Sequence, residues 1–185
     1  MKELGGSLLY LLLAIIQLVV GLGITAYAIN SGLVLVSKLL SKDGSKFDIW
    51  EQVKAKNTAV AVLAAGVIVG YTRVIASGVE SMSTAVGGLV GGNLTLWQGF
   101  SGLLAGVVNL VVAIAVASFA ITVVFRIIDK LNVNLNEREE LVGNNVAVGV
   151  IYAGILIGVA SLVAAGVAGI GSGVNVVLHS LRNLV

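Results

Sequence analysis

The chain has 185 residues, 58% of them hydrophobic and only 11% charged, with a mean hydropathy of +1.07. A soluble domain carries about 25% charged residues, so this composition excludes a water-solvated globule and points to a polytopic membrane protein. The net charge of +2 is small; the absence of cysteine excludes disulfides and thiolate chemistry, and the single histidine, His179, excludes a histidine cluster within one chain. The absence of proline argues against proline-broken transporter helices and leaves 24 glycines as the residues able to break one.

The first apolar run covers residues 7–37, interrupted by Gln17, Asn30 and a few hydroxyls. Leu8 to Val36 is far longer than a signal-peptide core and is read as a retained transmembrane helix, tilted or with one end at the interface. Segment 38–56 is polar and Lys-rich, with a turn at Asp43-Gly44-Ser45. From Phe47 to Lys56 the pattern predicts a short amphipathic helix on the membrane surface, with Phe47, Ile49, Trp50 and Val53 facing lipid. A second span is expected from Asn57 to about Ser77. Beyond it, residues 78–92 hold Glu80, Ser81, Ser83, Thr84 and several glycines, which reads as an interfacial helix or a re-entrant piece. The third span runs from Thr95 to Phe125, a second polar connection covers 126–144, and the fourth span runs from Asn144 to Val167. Residues 170–185 form an amphipathic tail.

An 88-residue offset aligns the two halves without a gap. Lys38 meets Arg126, Lys42 meets Lys130, Glu51 meets Glu139 and Asn57 meets Asn145. Between Asp48 and Thr72, eight of 25 positions are identical to their counterparts. This is a tandem duplication, 1–92 and 93–185, each unit holding two spans. Units with two spans enter the membrane from the same side, so the repeats should be parallel, about an axis along the membrane normal. Short interfacial helices are expected before spans two and four and after them on the far side.

Eight of the eleven Lys and Arg residues lie in connections 38–56 and 126–144. The positive-inside rule places both connections in the cytoplasm and both termini outside the cell membrane.

Glu51 followed by Asn57-Thr58-Ala59-Val60-Ala61, then Gly66 and Gly70-Tyr71, recurs as Glu139, Asn145-Val146-Ala147, Gly154 and Gly158. This tandem pattern resembles the family catalogued as domain of unknown function 350, and the resemblance covers essentially the whole chain. It implies a small bacterial or archaeal inner-membrane protein with four spans and no established activity. The second copy departs from the first where Gly143-Asn144 replaces Ala55-Lys56.

Asn57 and Asn145 stand at the predicted starts of spans two and four. An N-cap is the expected role of each; a polar pair near the axis, binding an ion or tying helices together, is the alternative. Glu51 and Glu139 precede those helices, where a carboxylate favours the helix N-terminus or holds a cation or partner. Gly66/Gly70, Gly154/Gly158 and Gly102/Gly106 are small-xxx-small pairs suited to close helix packing within or between subunits. Arg73 and Glu80 border the second span, where Arg73 can snorkel to the surface. Gln17 and Asn109 sit mid-span and are expected to hydrogen bond between helices, with lining of a hydrated path as the alternative. Trp50 and Trp97 suit interfacial belts, and Asn93-Leu94-Thr95 is a sequon on the outer loop.

No nucleophile–base set, metal cluster or phosphate-binding loop is present in the sequence, so no catalytic, metal or cofactor site is expected, nor nucleic acid as a partner. The expected function is a non-enzymatic membrane scaffold or assembly subunit of the cell envelope, a homo-oligomer in contact with lipids and with other membrane proteins. A small oligomeric channel or transporter, its path lined by polar span residues, is the alternative.

Overall fold

The computed structural model describes the backbone of residues 2–41, 46–90, 96–131 and 136–182, and side chains chiefly within 14–80, 107–130 and 136–169. The described residues form helices without strands: α1 Lys2–Leu40, α2 Ile49–Lys54, α3 Thr58–Val90, α4 Leu96–Leu131, α5 Glu137–Val142 and α6 Val146–Arg182. Four of them are long and apolar enough to cross a membrane, over Ala14–Leu40, Thr58–Glu80, Val107–Lys130 and Val146–Gly169. The molecule is a multi-pass membrane protein.

Helix α3 is the centre of the bundle. Of its spanning residues 56% are buried, against 28%, 22% and 33% for α1, α4 and α6. Val60, Leu63, Val67, Tyr71 and Val74 are fully enclosed. Glycine lets α1 approach this helix: a Cβ on Gly32 would collide with the Tyr71 ring, and one on Gly21 would touch Val79. As the α1 contact falls from residue 32 to 21, its α3 partner rises from 71 to 79, so the two helices are antiparallel. Helix α4 is antiparallel to α3 as well, through Leu110 on Gly78 and a 2.8 Å bond between Ser118 Oγ and Tyr71 Oη. Helices α3 and α6 instead run parallel and in register. Gly149 meets Ala59, Gly66 meets Ala153, Gly70 meets Ala160, and the Ser77 hydroxyl donates to the Ala164 carbonyl at 3.0 Å.

The short helices α2 and α5 precede α3 and α6 as expected, but their apolar side chains face the protein rather than lipid. Phe47 and Ile49 are buried and Val53 packs against the core, leaving Trp50 outward. The connections provide the reason. Ser41 Oγ accepts from the Phe47 N–H and Ser37 Oγ from the Ile49 N–H, which folds the segment back against the end of α1.

Residues 78–90 are neither re-entrant nor a separate interfacial helix. They continue α3 to a length of 33 residues, about 50 Å at 1.5 Å per residue. The expected tail likewise prolongs α6 to Arg182. Glycine weakens a helix by about 1 kcal/mol against alanine, but breaking the chain in hydrocarbon costs several kcal/mol per unsatisfied backbone group. With no proline to remove a donor, the unbroken helix wins. Asn93 lies outside the described residues, as do the side chains of Trp97 and His179 and the surroundings of Gly102 and Gly106.

Candidate functional site

The densest polar arrangement among the described residues lies where the short helices turn into α3 and α6. Helix α2 starts on Asp48, whose carboxylate accepts from the Trp50 and Glu51 N–H groups at 2.7 and 3.3 Å. It ends with Lys56 at φ 62°, the Lys56 N–H donating to Val53 O and the Asn57 N–H to Gln52 O. This is the Schellman pattern, in which one left-handed residue lets the last carbonyls find donors. Eighty-eight residues later the same bonds recur. Asn144 has φ 61°, its N–H reaches Leu141 O, and the Asn145 N–H reaches Glu140 O.

Both asparagines then cap the following helix. Asn57 Oδ1 accepts from the Val60 N–H at 3.0 Å, and Asn145 Oδ1 from the Val148 N–H at 3.5 Å. Each amide also donates to the side chain five residues back, Asn57 to Gln52 Oε1 at 3.0 Å and Asn145 to Glu140 Oε2 at 2.7 Å.

Asn57 does more than Asn145. Its amide also reaches the C-terminal carbonyls of α5, Leu141 O at 2.7 Å and Val142 O at 3.3 Å, and the residue is only 6% exposed. In return, Asn144 Oδ1 accepts from the Ala59 N–H at 3.0 Å. The first turn of α3 is therefore capped twice, by its own asparagine and by one from the second half of the chain. Chemically, the junction closes helix ends against each other. Both polar atoms of the Asn57 side chain have partners in the protein, Oδ1 the Val60 N–H and Nδ2 the Gln52 side chain and the α5 carbonyls.

Glu51 and Glu139 are exposed and lie on the outward sides of α2 and α5, next to the residues the junction uses, Gln52 and Glu140. The hydrogen-bonding positions were thus one residue beyond the repeated glutamates. A pairing of polar residues five before each Asn was the available signal. Arg73 is exposed at the opposite half of the bundle and its guanidinium donates to Ser161 Oγ, its own counterpart at the 88-residue offset. Glu80 is also exposed, further along α3. Gln17 bonds between helices, its amide donating to Val79 O at 3.4 Å, and Asn109 is half-buried. Gly66 and Gly70 are buried against α6, whereas Gly154 and Gly158 face open space.

Sequence reasoning passed over Glu137, a carboxylate 5% exposed at the first position of α5. It lines a small cavity with Leu39, Leu40, Phe125, Arg126 and Asp129, and Tyr152 lies alongside, its ring tilted at 42° to that of Phe125 with centroids 5.3 Å apart. Its counterpart in the first half is the buried Ile49. A charge aligned with a core position is the sequence signal that could have found it. An open groove between α1 and α4, lined by Gly23, Ile24, Tyr27, Val111 and Ile114, is apolar. No group of three or more metal-ligating side chains occurs among the described residues.

The tandem junction, the four spans and the glycine-packed α3 coincide with a match to a family model described as Domain of Unknown Function (DUF350), over residues 1–167 and again over 100–185. The chain belongs to this family. No curated protein and no solved structure matches it. In this DUF350 chain the asparagine junction is held by the bonds of Asn57, Asn144 and Asn145.

Proposed function

We propose that this DUF350 protein is a non-enzymatic, self-associating component of the cell membrane, acting as a scaffold or as a subunit of a larger envelope assembly. The observation that carries this reading is the state of Asn57. The residue most suggestive of an ion site is buried, and its side chain is spent on helix ends. A conducting path needs polar groups that can exchange partners with a passing ion, whereas a scaffold needs rigid joints between helices. The exposed small-residue face of α6 adds support for self-association, because close approach of small residues is a main source of helix affinity in lipid. Lipid and other membrane proteins are the partners that such a surface suits.

The exposed Lys38, Lys54, Lys56, Arg126 and Lys130 gather at the end that holds α2 and α5. By the positive-inside rule that end faces the cytoplasm and both termini face outward in a plasma or inner membrane.

The test is ion flux through liposomes containing the purified protein, with its mass in the membrane measured in parallel. An oligomer silent to alkali cations, protons and chloride across a range of voltages is the expected result. Flux abolished by changes to polar span residues would replace the scaffold by a channel.

A further inference from the structure

The packing of α3 on α6 has a direction. Two units related by a true twofold axis would make each contact twice, once from either side. Here each glycine contact is made once. Gly66 takes Ala153, but the swapped counterparts, Gly154 and Ala65, are both exposed. Gly70 takes Ala160, but Gly158 and Thr72 are both exposed. The third helix repeats the pattern: Gly78 takes Leu110 of α4, while Gly166 has open space and Leu22 of α1 is 61% exposed. The two halves are therefore packed head to tail, and such an interface leaves one unsatisfied face at each end of the pair.

We propose that these two open faces are each other's partners in neighbouring copies of this chain. The Gly154/Gly158 face of α6 receives the Ala65/Thr72 face of α3 from a second copy, and the neighbour's α1 lies on α6 at Gly166 as α4 lies on α3 at Gly78. The occupant is a second copy because the mating surface is already formed once inside the chain, from residues at the same repeat positions. Lipid tails could cover these faces, but they do not require glycines to be aligned at equal heights with small residues on the partner. Because α3 and α6 are parallel and the bilayer holds all copies at one depth, the repeated rotation runs about the membrane normal. It generates a closed ring rather than a climbing filament. This inference rests on the self-association reading and specifies its surface.

The chain has no cysteine, so introduced thiols report alone. Thr72→Cys and Gly158→Cys are the informative pair. In the internal contact a Cβ on Gly70 lies 3.1 Å from the Ala160 Cβ, near the 3.5–4.5 Å that a disulfide spans. A disulfide within one chain is excluded, since nothing lies within 4 Å of a Cβ at position 158. Oxidation in native membranes is expected to give a ladder of covalent oligomers with the double variant, ending at the ring size. Co-expressed single variants should give dimers only, and each single variant alone only monomers. Gly158→Leu, placed in open space within the chain, is expected to lower the assembly mass while leaving helical content unchanged. A dimer from Gly158→Cys alone, or an assembly insensitive to Gly158→Leu, would overturn the head-to-tail surface. An oligomeric mass with no cross-link also overturns it and leaves self-association standing; a monomeric mass for the unmodified protein removes both.

Discussion

The side-chain amide of Asn57 donates to the Leu141 carbonyl at 2.7 Å across 84 residues of sequence, while its oxygen caps the helix that Asn57 begins. One side chain thus closes the start of α3 and the end of α5, tying the two halves of the chain together at the end that holds α2 and α5. The counterpart Asn145 caps α6 with a longer bond and is half-buried. The repeat has made two similar residues, and the fold has given them unequal burdens.

This inequality sets the first expectation. Asn57→Ala removes an N-cap worth about 1 kcal/mol and the amide bonds to the Leu141 and Val142 carbonyls, about 0.5–1.5 kcal/mol more for each. Asn145→Ala should lose its cap, about 1 kcal/mol, and the local bond to Glu140 Oε2, but no bond between the two halves of the chain. Asn57→Asp separates the two roles, since it keeps the capping oxygen and loses the amide donors to Leu141 and Val142. Thermal unfolding in detergent should therefore rank wild type first, then Asn145→Ala, with Asn57→Asp and Asn57→Ala lowest. Equal losses for Asn57→Ala and Asn145→Ala would mean that the cross-chain bonds contribute nothing.

The left-handed residues supply a second expectation. Lys56 and Asn144 hold φ 62° and 61° at the same point of the two turns. A non-glycine residue there costs of the order of 1 kcal/mol, and lysine has no short polar group to offset it locally. Lys56→Gly should raise stability by about 0.5–1 kcal/mol. Asn144→Gly relieves the same strain but loses the acceptor for the Ala59 N–H, so it should not stabilise. Opposite behaviour in a chemical denaturation series would show that the strain is carried elsewhere.

How much of this was legible beforehand follows from what repeats and what does not. The four spans rest on apolar runs that any reading of composition finds, and the asparagines stand out because polar residues are rare next to such runs. Which face each helix buries was hidden, because Gly66 and Gly154 are the same residue in the same local pattern. Only the head-to-tail packing makes one buried and the other open. Asn144 stands out in the sequence as a departure from Lys56, but its bond to Ala59 depends on a contact 85 residues distant. The continuation of α3 through residues 78–90 was obscured by its glycines, which locally read as a break while the missing proline and the lipid solvent favour continuity.

Glycine substitutions give a third expectation. A Cβ at Gly66 would lie 2.5 Å from the Ala153 Cα, and one at Gly149 would press on the Ala59 carbonyl. Both neighbours are backbone and cannot swing away, so Gly66→Ala and Gly149→Ala should force α3 and α6 apart at about 1–3 kcal/mol each. Gly23 has nothing within 4 Å, and Gly23→Ala should gain up to about 1 kcal/mol from helix propensity. Melting temperatures of the three variants test the contrast directly. A harmless Gly66→Ala would deny the close approach on which the bundle depends.

The last expectation concerns the buried carboxylate. Glu137 and Ile49 occupy counterpart positions, both nearly inaccessible, yet one is ionisable and the other is not. Replacing a whole buried ion pair by apolar residues of similar volume is often neutral or stabilising, because the desolvation penalty disappears with the charges, whereas removing one partner costs whatever the other loses by being left buried. The neighbouring Arg126 and Asp129 are exposed and can be solvated once the carboxylate is gone. Glu137→Ile should therefore cost no more than the buried Tyr152 hydroxyl loses when the carboxylate beside it goes, about 1–3 kcal/mol. The reverse change, Ile49→Glu, places a charge where Ser37 Oγ already accepts from the residue 49 N–H and apolar side chains close the rest. It should cost about 3 kcal/mol or more. Measured side by side, a tolerant position 137 and an intolerant position 49 would mean that Glu137 is not required for folding, which would make Glu137→Ile a folded probe for any activity later found in this family. A Glu137→Ile protein that unfolds would instead make the carboxylate a structural tie of α5 to the bundle.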